Sequence, residues 1–319
     1  MQPPNRGNPA LALKRRLHIR LRERSRHWSP AARGLLWAVA AGLLFTLLNG
    51  VMRVLAQRVD PFQTQFLRYA CALLVLLPLL WAQGAASYWP RQLSSHFTRG
   101  ALHTVGLSLW FFALPHMPLA DMTAIGFTSP LFVMLGAYLF LREPMHWERW
   151  AATVIGFGGV LLVVGPKLWT GNGGTGLYHL AMLGSAPLFA ASFLLTKTLT
   201  RVESTGTILI WQAVTISLFS LPMALLQWQS PSPIEWAGFL LCGVIGNASH
   251  YCLTRSLAAA DVSATQSAKF LDLVWSGIMG WLLFSEMPGL NAIAGGCVIS
   301  AATLWVARRE SRRAHTSVN

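Results

Sequence analysis

Ala120-Asp121-Met122-Thr123-Ala124 and Ala260-Asp261-Val262-Ser263-Ala264 are one phrase written twice, 140 positions apart. A second echo holds nearly the same offset. Tyr138-Leu139-Phe140-Leu141-Arg142-Glu143 precedes Trp281-Leu282-Leu283-Phe284-Ser285-Glu286 by 143. Gly156-Phe157-Gly158-Gly159 is matched by the region of Gly295-Gly296, and Gly34 and Gly42 by Gly176 and Gly184. Each match is weak alone, but together they run the length of the chain. The sequence reads as two related halves, and the number of elements per half decides how the halves are oriented.

Those elements are long apolar runs. The 319 residues are 54% hydrophobic and 11% charged, with a mean hydropathy of +0.47. A soluble domain carries about 25% charged residues. A helix needs about 20 apolar residues to cross a bilayer. By that measure the first half holds spans at 34–56, 62–82, 100–117, 120–141 and 148–165. The second holds 177–198, 205–227, 236–257, 262–284 and 290–307. Short turns such as Asp60-Pro61 and Met287-Pro288-Gly289 join them, and a Gly-rich break at 166–176 divides the halves.

Five is an odd number, so the second half must enter the membrane upside down relative to the first. The expected fold class is an all-α integral membrane protein of ten transmembrane helices, built as two five-helix repeats of inverted topology. The expected domains are a basic cytoplasmic N-tail (1–33), a first repeat (34–166), a second repeat (177–307) and a basic cytoplasmic C-tail (308–319). Membrane β-strands are about half as long and alternate in polarity, which these runs do not.

Charge sets the orientation. With the N-terminus in the cytoplasm, 20 of the 25 Lys and Arg fall on the cytoplasmic side, Arg91, Arg99, Lys197 and Arg255 among them. Only Arg58 and Lys167 fall opposite, and Arg53, Arg68 and Lys269 lie inside spans. Lys and Arg accumulate in cytoplasmic loops, so both termini are expected there. The net charge of +14 is thus a topology signal and no nucleic-acid partner is expected. The N-tail lacks the apolar core of a secretory signal. It reads either as a solvated basic tail or as a membrane-surface helix striped by Leu13, Leu17 and Leu21.

Several function classes drop out. Cys71, Cys242, Cys252 and Cys297 all lie in apolar runs with no C-x-x-C pair, which suits apolar packing better than a disulfide or zinc framework. No G-x-x-x-x-G-K-[ST] segment exists, so ATP is not the energy source and no cofactor is expected. A membrane-embedded enzyme or sensor would need clustered metal ligands, a nucleophile with its base, or a soluble domain, and none is visible. An inverted repeat, by contrast, is a device of secondary transporters, in which two opposed halves rock about a midplane site.

The stretch Thr128-Ser129-Pro130-Leu131-Phe132, followed by Leu139-Phe140-Leu141-Arg142-Glu143-Pro144 and by Trp150-Ala151-Ala152-Thr153-Val154-Ile155-Gly156-Phe157-Gly158-Gly159-Val160, resembles the end of an EamA domain. The echo from Glu286 to Gly296 resembles a second copy. In the second copy Lys269-Phe270 stands where Ser129-Pro130 stands in the first. The chain is similar, over about 34–307, to the ten-helix, double-EamA branch of the drug/metabolite transporter superfamily. That resemblance implies a bacterial inner-membrane exporter or exchanger of amino acids, metabolites or drugs. The abundance of Trp is similar to that of aromatic amino acid exporters in the superfamily.

Polar residues inside spans are the candidate site. A charge at a helix centre costs at least about 2.5–3.5 kcal/mol, and is usually retained for a cavity or substrate. Lys269 has Asp272 at i+3, within pairing distance on one helical face. The two form either a structural ion pair or a cavity pair in which Lys269 holds a substrate carboxylate. Arg68 lies two turns into its span, with snorkelling, helix-tying and binding all open to it; its repeat partner is Trp211. Arg53, near a span end, is expected to snorkel. His103 and Trp110 share a helix face. Asn247, His250 and Tyr251 belong to the partner span, and Asn49 and Ser192 lie at similar depth. Trp110, Trp211 and Trp275 lie deeper than the other tryptophans, which mark span ends. Glu143 and Glu286 end their spans as caps or gate contacts.

The substrate-binding set is therefore Lys269, Asp272, His103, Trp110, Asn247, His250, Tyr251, Trp275, Arg68, Asn49 and Trp211. An aromatic wall with a lysine suits an amino acid with a large side chain. The expected function is a secondary transporter of amino acids and related small metabolites, acting as an exporter. A multidrug or organic-cation exporter is the alternative. Expected partners are membrane lipid, the small-molecule substrate and a second copy in a homodimer.

Overall fold

Asp60-Pro61 shows how the helix ends are built. Pro61 opens a helix at the position where its missing N–H is not needed. The Asp60 carboxylate accepts from the N–H groups of Phe62 at 2.9 Å and Gln63 at 3.0 Å. Ser204 caps another helix by accepting from the Thr207 N–H at 3.1 Å. Ser232 and Glu235 cap a third reciprocally: the Ser232 N–H donates to Glu235 Oε2 at 2.7 Å, and the Glu235 N–H to Ser232 Oγ at 3.4 Å. The hydrogen bonds from Ser232 hold the Glu235 carboxyl below its usual range.

The computed structural model describes residues 30–126, 128–141, 147–169, 175–259, 270–287 and 289–316. They form α1 (Pro30–Ala56), α2 (Pro61–Gln83), α3 (Leu93–Ala113), α4 (Leu119–Gly126), α5 (Ser129–Leu141), α6 (Trp147–Trp169), α7 (Thr175–Leu199), α8 (Thr205–Leu226), α9 (Pro233–Ala259), α10 (Phe270–Phe284) and α11 (Leu290–Thr316). No strand occurs among the described residues. Residues 1–29 of the N-tail, Arg142, Glu143, the Ala260–Ala264 phrase and Lys269 lie outside the described residues, and the last four residues of the expected tail, 30–33, belong to α1.

Four helical stretches, Arg33–Ala56, Pro61–Gln83, Gly176–Leu199 and Thr205–Leu226, are long and apolar enough to cross a membrane. Trp81, Leu226, Val154 and Leu161 point outward and exposed. In water such a surface would be a liability, whereas hydrocarbon solvates it.

The last helix runs to Thr316, beyond the expected end at 307 and into the expected C-tail, and two other departures bear on the site. The third span begins at Leu93, not 100, so Arg99 lies within the helix and buried in the bundle, 4% exposed, and not in a loop. The fourth is broken into α4 and α5. Thr128 makes both ends of the break. Its N–H and hydroxyl donate to the Ile125 carbonyl at 2.9 and 2.7 Å, and its own carbonyl accepts from Leu131 and Phe132 at 2.9 and 3.2 Å. Non-helical backbone at membrane depth is tolerated where it is buried in protein or lines a cavity.

Helices pair across the halves: α1 on α9, α3 on α7, α2 on α8 and α6 on α11. Small residues set the closest approaches. A Cβ on Gly159 would lie 2.9 Å from the Gly295 carbonyl, and one on Gly243 would lie 2.9 Å from the Cys71 carbonyl and the Ala72 nitrogen. The described cysteines are free thiols. Leu48, Phe111, Leu114, Met117, Ile125, Ile216 and Phe239 form a fully buried core around the central helices.

Candidate functional site

On α3, Arg99, His103, Leu107 and Trp110 recur every three or four residues and so share one stripe. Phe45, Asn49 and Met52 do the same on α1, Phe189, Ser192 and Thr196 on α7, and His250 and Thr254 on α9. These stripes face one another around a chamber of about 230 Å³, to which α2 adds Arg68 and Tyr69 and α5 adds Ser129. A second chamber of about 300 Å³ shares Phe45, Asn49, Trp110, Ser129 and Phe189 with the first. It continues past Gly42, Thr123, Asp272 and Ser276, on α1, α4 and α10. The two chambers adjoin across these shared residues and are furnished differently.

The first end is cationic. Arg68 is 3% exposed. Its Nη2 lies 3.4 Å from His250 Nε2, and its guanidinium carbon sits 4.0 Å from the centre of the Tyr69 ring. Gly246 makes room for it, since a Cβ there would come within 3.1 Å of Nη2. Arg99 donates to Gln212 Oε1 and, at 3.4 Å, to the Ile208 carbonyl. The Gln212 amide nitrogen lies 3.2 Å from His250 Nε2 and so closes a chain from one arginine to the other. His103 stands beside this chain, its Nδ1 3.0 Å from Ser192 Oγ and its Nε2 3.4 Å from the Tyr69 hydroxyl. Arg68 Nε and Nη1 and Arg99 Nε are buried with no hydrogen-bond partner among the described residues. No carboxylate lines this chamber among the described residues.

The walls are aromatic. Phe45 meets the His250 ring edge-on at 5.0 Å, and Phe189 lies 5.2 Å from the His103 ring. Trp110 lines both chambers. The second end holds a carboxylate: Asp272 packs directly against Gly42, and a Cβ on that glycine would collide with Asp272 Oδ1.

The structure thus gathers Asn49, Arg68, His103, Trp110 and His250 around the first chamber and places Asp272 in the adjoining one. Lys269 lies outside the described residues. Asn247 instead donates to the Ala72 carbonyl at 2.8 Å, holding α9 to α2. Tyr251 is exposed and packs edge-on against Trp37 at 5.9 Å. Trp211 donates to the Tyr88 carbonyl at 2.9 Å and packs edge-on against Trp89 and at a tilt against His96 and Phe97, away from the cavity. Trp275 does not line it either, and its indole N–H has no partner among the described residues. Arg53 does not snorkel. It is buried and bound by Glu286.

Arg99, Tyr69, Gln212 and Phe45 are the cavity and network residues that the sequence reading left out. The signal for Arg99 was its four-residue spacing to His103. Asp121 on α4 is a further acid inside the bundle, 6% exposed and 3.5 Å from His179.

Comparison with known proteins decides the family. The model of the EamA-like transporter family matches residues 32–165 and again 176–308. The chain belongs to the EamA-like transporter family. As a member of that family it is a multi-pass membrane protein that transports small molecules. This EamA-like transporter is 35% identical over 288 residues to a riboflavin transporter of Rhizobium johnstonii, covering 89% of this chain and 94% of that one. It is 30% identical to an S-adenosylmethionine uptake transporter of Rickettsia felis, over 85% of this chain and 91% of the relative. A pseudopaline exporter of Pseudomonas aeruginosa is 26% identical, over 86% and 96%. A solved crystal structure shares the fold with a TM-score of 0.63 at 18% identity, covering 86% of this chain and 98% of that one.

Proposed function

We propose that this EamA-like transporter is a secondary carrier for amino acids and related small metabolites with an aromatic part, working by alternating access. The observation that carries the reading is the single cavity, walled by α1, α2, α3 and α5 of the first matched segment and by α7 and α9 of the second. A pocket of this kind, largely apolar with a few convergent polar groups, suits a small molecule.

An inverted repeat of two five-helix units supplies the motion. Exchanging the halves turns the α1–α9 contact into the α7–α3 contact and maps the α2–α8 and α6–α11 contacts onto themselves. Pro78 in α2 and Pro222 in α8 hold corresponding places. Two units so related can trade conformations and open the cavity first to one side and then to the other. The bias of Lys and Arg supports cytoplasmic termini, even with Arg99 removed from the count.

The relatives are named for uptake in one case and export in another, so the test reads both directions. Purified protein in liposomes is assayed with labelled riboflavin, tryptophan, phenylalanine and tetraphenylphosphonium, placed inside or outside. Saturable movement of an aromatic metabolite supports the reading. Movement of the organic cation alone overturns the substrate class, and movement of none overturns the carrier reading as stated.

A further inference from the structure

Two permanent cations share one buried chamber whose own hydrogen-bond acceptors are neutral: a histidine nitrogen, an amide oxygen and a backbone carbonyl. Burying an ion costs several kcal/mol unless charge and hydrogen bonds compensate it. Arg99 is partly satisfied by Gln212 and Ile208. Arg68 is not: two of its three guanidinium nitrogens have no partner among the described residues. A residue whose only task was to tie helices together would spend those donors on backbone or side-chain acceptors. Asn247, three residues before His250 on α9, does so by donating to the Ala72 carbonyl.

We propose that the chamber at Arg68 and Arg99 is the seat of an anionic group of the cargo, a carboxylate or a phosphate. The guanidinium fork of Arg68 matches two oxygens of such a group. Ser192 adds a hydroxyl to the lining, and Phe45, Phe189 and Trp110 hold the aromatic remainder. Asp272 stands in the adjoining chamber, so the cargo is oriented with its anionic end away from that carboxylate. The inference rests on the carrier reading but narrows it: an uncharged flavin-like ring would leave the arginines unanswered.

The experiment measures binding to the full chain in lipid nanodiscs, by isothermal titration calorimetry and by thermal shift. The probes are matched pairs: tryptophan and tryptamine, indole-3-acetate and indole, riboflavin 5′-phosphate and riboflavin. Sodium chloride and sodium phosphate serve as inorganic arms. The acidic member of at least one pair should bind tighter by about tenfold or more, as for a buried charge pair. Arg68→Gln and Arg99→Gln should each collapse that ratio toward one, and Arg68→Lys should keep part of it. The ratio is taken within one protein sample, so partial misfolding does not imitate the result.

Equal or tighter binding of the members that lack the acid group overturns the proposal, as does binding of no pair. Stabilisation by inorganic ions with no competition against the organic acids also overturns it. Riboflavin transport without any preference for acids would overturn the anion seat and leave the carrier reading intact. Selective binding of acids with no transport would do the reverse.

Discussion

Arg53 on α1 and Glu286 just beyond α10 form a two-pronged salt bridge, at 2.7 and 2.6 Å, that fastens the first half of the chain to the second. Phe284 lies against the same guanidinium, its ring centre 4.3 Å from the central carbon. Glu286→Ala leaves Arg53 buried without its counter-charge. Breaking such a pair costs about 3–5 kcal/mol. The low end is expected, because Glu286 keeps 26% of its side-chain surface exposed. Thermal unfolding in detergent should show the loss. The exchange Arg53→Glu with Glu286→Arg should recover part of it, and equal instability of the exchanged protein would argue against pairing as the cause.

Ser285 holds Glu286 in place at a conformational cost. Its φ of 54° lies in the left-handed region. The Glu286 N–H reaches back to the Gly280 carbonyl at 3.1 Å, as at many helix ends that favour glycine. Ser285→Gly should therefore stabilise the protein by about 0.5–1 kcal/mol. An unchanged or lower melting temperature contradicts this.

Glycines on two helices should answer oppositely to alanine. At Gly243 the added methyl meets backbone of α2 at 2.9 Å, and overpacking of this kind costs about 1–3 kcal/mol. At Gly158 nothing lies within 4 Å, so Gly158→Ala should be neutral or gain up to about 1 kcal/mol of helix propensity. Comparing the two in one denaturation series checks the packing at the α2–α9 contact.

Trp211 tests whether depth in a span is enough to make a binding residue. Trp211→Phe removes its hydrogen bond to the Tyr88 carbonyl, worth about 1 kcal/mol. The expected outcome is lower stability with an unchanged Kd for cargo. A selective rise in Kd would place Trp211 at the cavity after all.

The contrast between Trp211 and Trp110 shows what the sequence could convey. Apolar run length gives depth, and depth alone made both tryptophans candidates. Rotation about the helix axis then separates them, and it depends on which neighbour each face meets. On α3 a polar stripe, Arg99-His103-Trp110, declared its own face. On α8 no stripe did, and on α9 the stripe holds His250 but not its neighbours, so Trp211, Asn247 and Tyr251 were placed by depth and now point elsewhere. Arg99 was lost for a different reason: hydropathy began its span seven residues late, because a charge looks like a boundary. The break between α4 and α5 was signalled by Thr128-Ser129-Pro130, a capping residue with proline in the first turn, but the apolar run flows through it. The internal offset near 140 was legible because duplication leaves its mark in sequence, whichever way each copy faces.

The chamber with two arginines and no carboxylate among the described residues also bears on kinetics. A carrier must pass through a sealed state in both directions of its cycle. With an acid aboard, that state is electrically matched. Returning empty, it encloses bare guanidinium charge in a low dielectric, and its barrier is higher. Cargo on the far side should then accelerate efflux of labelled cargo well above the rate into empty buffer, making one-for-one counterflow faster than net flux. Equal rates in the two conditions would show that the unloaded protein turns over without hindrance.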